Sequence, residues 1–222
     1  MERESYTKAF ALRKLHALSG VVPLGVFLVE YLWGSARALR NARSSSVDGT
    51  SLFIPVLEIV VVLLPLAFHV LYASQVLSEP RTRRARLRRA SGFVALAFVG
   101  FYLWELRGQR LLYGLTNDAF YDGLAGRLSS TTAGLPLWAV AYLLGVAAVV
   151  FHFASGVSGA LAAWGTPTTE PPRAGAPPSW VPLALGVVLF GLGANTVLSF
   201  ATGSRFGLAA DNTPSDGPCP PK

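Results

Sequence analysis

The sequence predicts an all-α polytopic membrane protein, a bundle of five transmembrane helices. Two observations carry that expectation. Of 222 residues, 52% are hydrophobic and only 14% charged, with a mean hydropathy of +0.45. A soluble domain carries about 25% charged residues. The apolar residues also gather into five runs, where an amphipathic soluble helix would space them periodically.

The runs cover residues 15–33, 53–77, 91–112, 135–164 and 180–200. Each reaches the roughly 20 residues that cross about 30 Å of hydrocarbon. Backbone polar groups in lipid need partners within the segment, so each run is expected to be helical. Pro23, Pro65 and Pro136 fall inside or at the ends of runs, where neighbouring helices can satisfy the freed carbonyls. The connections differ in composition. Residues 36–51 are polar, and 166–179 are too proline-rich to be helical. The end, 205–222, reads as a disordered tail after a membrane domain of 1–204.

Arginines set the expected orientation. Arg81, Arg83, Arg84, Arg86, Arg88 and Arg89 crowd the loop between the second and third runs, which places that loop in the cytoplasm. With five spans the N-terminus is then cytoplasmic and the C-terminus outside. Arg37, Arg40 and Arg43 in the first outer loop argue the other way but are outweighed. The formal charge of +7 is accounted for by this cluster and does not call for a nucleic-acid partner. One cysteine, Cys219, excludes an internal disulfide or a cysteine-based metal cluster. No C-x-x-C-H occurs, so any haem would be held non-covalently. The charged N-terminus lacks a small-residue cleavage site and does not read as a cleaved signal peptide.

The chain has three histidines, and two of them, His69 and His152, lie in apolar runs. His69 is nine residues before Ser78, and His152 twelve before Trp164. At about 1.5 Å per residue both fall roughly 13–18 Å from the cytoplasmic ends of antiparallel-compatible spans. Two facing imidazoles at one depth are what a low-spin b-type haem requires. A lone intramembrane histidine serves equally well as a hydrogen-bond donor to a neighbouring helix. Small residues around His152, from Ala154 to Gly159, suit either a flat macrocycle or close helix packing.

Other polar residues have bland alternatives. Arg13, Lys14 and His16 sit at the expected cytoplasmic mouth, where they can meet a haem propionate or a partner subunit, or only mark topology. Glu58 is expected to relay protons or to pair with Arg107. Glu105 and Arg107 are expected to pair with each other or with water. Tyr31, Trp33, Tyr102, Trp104 and Trp138 read in part as an interfacial aromatic belt.

Four segments in order, "RKLHALSGVVPLGVFLVEYL" (13–32), "LEIVVVLLPLAFHVLYA" (57–73), "FVGFYLWELRGQ" (98–109) and "FHFASGVSGALAAWG" (151–165), resemble the cytochrome b membrane anchor of succinate dehydrogenase and fumarate reductase. The likeness is to the single-chain, five-helix type. It implies a flavoprotein subunit and an iron–sulfur subunit as partners, a quinone site, menaquinone rather than ubiquinone, and the cytoplasmic membrane. It also implies an inner haem b held by His69 and His152. The positions matching the outer pair of haem ligands are Tyr31 and Tyr102, so one haem is expected where the family holds two. His16 matches an early histidine that is not a ligand in the family. Two rival functions remain: a haem-free scaffold for the same soluble subunits, and a small transporter with His69 and His152 in a proton path.

Overall fold

The computed structural model describes residues 2–39, 56–57, 59–76, 82–165 and 180–203. The expected tail, the proline-rich connection, most of the first polar loop, Glu58 and Arg81 lie outside the described residues.

The described chain is a bundle of helices, as expected. Helix α1 runs Glu2–Leu39. Helix α2 is a π segment, Ile59–Leu63, continued by the α-helix Leu64–Val76. Helix α3 runs Arg83–Leu103, passes through a π segment at Trp104–Gly108 and ends at Gln109–Tyr113. A shorter α4, Asn117–Ser129, precedes α5, Leu137–Gly165, and α6, Trp180–Thr202. Among the described residues, α1, α3, α5 and α6 are long and apolar enough to span a membrane, and α2 supplies a shorter apolar stretch, Val60–Gln75.

The elements form for local reasons. On α1, Leu24, Phe27, Leu28, Tyr31 and Ser35 are buried, a stripe at helical spacing, while Val22, Val26, Val29 and Trp33 are exposed on the other side. An outward apolar face is what lipid demands. Pro23 is buried within α1, whose helix runs on without interruption. The arginine cluster was expected to be a loop, and most of it is helical instead. The Thr82 hydroxyl caps α3 by accepting from the Ala85 N–H at 3.1 Å, and the arginines fill the first turns. Long side chains on an exposed helical turn keep their charges in water without breaking the backbone ladder. Gly114, at φ +68°, ends α3 in the left-handed conformation that glycine adopts without cost.

Helix α4 was not expected from hydropathy. Thr116 caps it by accepting from the Ala119 N–H at 3.2 Å. Phe120, Leu124 and Leu128 turn one face into the core, packed on α5 and α6. Helix α1 packs on α2, α5 and α6, and α3 packs on α5. Helix α2 makes its close backbone contacts with α1 and at most marginal ones with α3 and α5.

Candidate functional site

All three histidines converge. The His69 and His152 rings, from α2 and α5, lie with centroids 6.1 Å apart and planes at 85°. His16, from α1, stacks on His69 at 4.0 Å and 10°. The expected common depth of His69 and His152 is therefore a contact, made across helices whose backbones stay apart.

Each ring is oriented by a backbone carbonyl on a neighbouring helix. The Nδ1 of His69 is 2.8 Å from the carbonyl oxygen of His16. The Nδ1 of His152 is 3.0 Å from the carbonyl oxygen of Arg88 and 3.4 Å from the Ser91 hydroxyl. A carbonyl can only accept, so in both rings Nδ1 carries the proton and donates it. The lone pair is then on Nε2, and neither Nε2 takes part in a hydrogen bond among the described residues. The side-chain spacing leaves little slack. A Cβ on Gly20 would stand 2.5 Å from His69 Cε1, and one on Gly92 would stand 2.7 Å from His152 Cε1.

Two neutral imidazoles with free Nε2 atoms suit a metal atom shared between them. No cluster of three or more His, Cys, Asp or Glu side chains suited to a bare ion occurs among the described residues. Two imidazoles alone would leave a metal's coordination incomplete, and a macrocycle is one group that would complete it. Between α2 and α3 an open apolar cleft of about 370 Å³ is lined by Leu63, Leu66, Ala67, Val70 and Leu71 of α2 and Leu96 of α3; neither His69 nor His152 lines it. His69 and His152 would be the residues to hold a porphyrin here.

The other sequence-derived candidates divide. His16 joins the trio, whereas Arg13 is exposed and Lys14 lies over the Phe10 ring at 4.3 Å. Tyr31 and Tyr102 are 2% and 1% exposed, so they belong to the core and not to an interfacial belt. Their rings meet edge to face at 5.4 Å. Around them Phe27, Phe98, Phe120 and Tyr142 fill the space with further edge-on contacts. Trp33, Trp104 and Trp138 are exposed, as a belt requires.

Glu105 and Arg107 do not pair with each other. Arg107 binds Glu30 of α1 at 2.6 Å, and Glu105 takes Arg127 of α4 and the Gln109 amide. Residues two apart on a helix face different sides, and the π segment re-aims them further. Tyr121 of α4 lies over Gly34, and burial pushes its phenol above the ordinary range.

What hydropathy could not find was the support for the histidines: the carbonyls of His16 and Arg88, and Gly20 and Gly92. Their signal was the repeated Ser-Gly pair at 19–20 and 91–92, which has meaning only once the opposing ring is known.

The succinate dehydrogenase cytochrome b558 subunit of Bacillus subtilis (strain 168) is 28% identical over 210 residues, covering 88% of this chain and 99% of that protein. This chain is a relative of that subunit. The resemblance carried by the four sequence segments thus extends over nearly the whole length of both proteins. No family model and no solved structure matches the chain.

Proposed function

We propose that the chain is the membrane-anchor cytochrome b subunit of a succinate:quinone oxidoreductase, holding one haem b through His69 and His152. The observation that carries this is the pair of imidazoles 6.1 Å apart with both Nδ1 atoms committed to carbonyls. The similarity to a named cytochrome subunit supports it independently. Haem b, when bound, supplies a one-electron carrier in the membrane.

The chain's own residues prepare that role. The His16 and Arg88 carbonyls keep each ring in the tautomer that leaves Nε2 free. The exposed Arg13 is better placed to meet the iron–sulfur subunit than the histidines. The anchor then docks the flavoprotein and iron–sulfur subunits at its cytoplasmic end, beside the arginine-rich start of α3. It offers its electrons to quinone, menaquinone by analogy with the family. The N-terminus is cytoplasmic and the C-terminus outside.

A single haem is supported by the packing at Tyr31 and Tyr102. Tyrosinate ligation there would place anionic phenolates in an apolar core. The aromatic rings already occupy that level. The test is a reduced-minus-oxidised spectrum with a pyridine haemochrome assay on the purified complex. One haem b per chain, absent from His69→Ala and His152→Ala, is the expected result. A complex of normal composition with no b-type bands would instead select the haem-free scaffold.

A further inference from the structure

The two histidine supports are built to one pattern. His69 donates to the carbonyl of residue 16, and Gly20 stands four residues further along the same helix, against the ring. His152 donates to the carbonyl of residue 88, and Gly92 again stands four residues on, against the ring. In both cases the residue before the glycine is a serine. The Ser19 hydroxyl donates to the His16 carbonyl at 2.9 Å, and the Ser91 hydroxyl donates to the Arg88 carbonyl at 2.9 Å. The same arrangement therefore occurs on two helices, once for each ring.

Each part has a physical reason. A helical carbonyl normally accepts only the N–H four residues on. A side chain on that fourth residue would cover the carbonyl and collide with an arriving imidazole. Glycine removes the obstacle. The serine hydroxyl shares the same oxygen, so it competes with the imidazole N–H for electron density.

We propose that Ser19-Gly20 and Ser91-Gly92 are matched positioning sockets that fix the tautomer and the donor strength of His69 and His152. The proposal rests on the haem reading given above. The hydrogen bond from Nδ1 raises the basicity of the ring as a metal ligand. The glycine admits that bond, and the serine moderates it. A third Ser-Gly pair, Ser155-Gly156, follows His152 at the same spacing, but a Cβ on Gly156 would meet Val21, at 3.3 Å, and no imidazole. It serves as an internal control.

The experiment uses the intact complex and reads haem content, midpoint potential and the low-spin ferric EPR spectrum. Gly20→Ala and Gly92→Ala displace the ring from its carbonyl, weaken the ligand and raise the midpoint potential, with a shift in the largest g value. Ser19→Ala and Ser91→Ala keep one haem per chain and lower the midpoint potential, because the carbonyl is left to the imidazole. Gly156→Ala moves neither. Should the glycine variants fail to load haem, the serine variants decide alone. Potentials and g values unchanged in the serine variants overturn the proposal, as does an equal shift in Gly156→Ala. Haem b that survives replacement of His69 or His152 overturns the parent reading instead, so the two failures are distinguishable.

Discussion

The histidine end and the tyrosine end of this bundle are built from the same helices and solve opposite problems. Gly20 to Tyr31 on α1 and Gly92 to Tyr102 on α3 each span ten or eleven residues, so the two levels lie about 15 Å apart. At the histidine end α2 stays away from α3 and α5, and polar ring atoms meet backbone carbonyls. At the tyrosine end the rings of Phe27, Tyr31, Phe98, Tyr102 and Phe120 interlock. Gly145 makes way for Phe98 there, and α4 closes over the top. A cavity in a close-packed core costs stability in proportion to its volume. Aromatic rings fill the tyrosine level accordingly, and the one-haem proposal requires that level to hold no cofactor.

The largest effect expected at the histidine end is all or none. His69→Ala or His152→Ala removes the haem b absorption, and the double variant assembles poorly, read from the yield of intact complex. At the tyrosine end the converse substitution sharpens the contrast. Tyr31→His with Tyr102→His is expected to leave the haem ratio at one per chain, because Phe27, Phe98 and Phe120 still occupy the space. A ratio of two by pyridine haemochrome would break the comparison.

Smaller effects concern the polar clamp near the tyrosines. Arg127→Met leaves Glu105, 8% exposed, with the Gln109 amide and without its guanidinium. A fully buried pair broken this way loses about 3–5 kcal/mol. Arg127 is 32% exposed, so about 2 kcal/mol is expected, read as earlier thermal unfolding in detergent. Tyr102→Phe is the mildest: the ring packing stays, and neither the haem band nor the haem ratio changes.

Much of the fold was legible in the sequence because lipid imposes a simple rule. Long apolar runs must be helices, and the helices at 15–33, 91–112, 135–164 and 180–200 are where hydropathy put them. Helix α4 escaped because it is short and amphipathic, although Thr116 and the spacing of Phe120, Leu124 and Leu128 announced it. The arginine cluster looked like a loop because charge was read as a break, yet exposed arginines are good helix formers. The meeting of His69 and His152 was legible from depth alone. Their supports were not, since a helical carbonyl exposed by a glycine is a relation between helices that no single stretch displays. The partners of Glu105 and Arg107 were hidden for the same reason, compounded by the π segment that turns them.

Quantifying haem b per chain in the purified complex, beside the His69→Ala and His152→Ala variants, tests the central claim most directly. One haem in the wild type and none in either variant is the expected result. Two haems in the wild type, or one that persists in both variants, would contradict it.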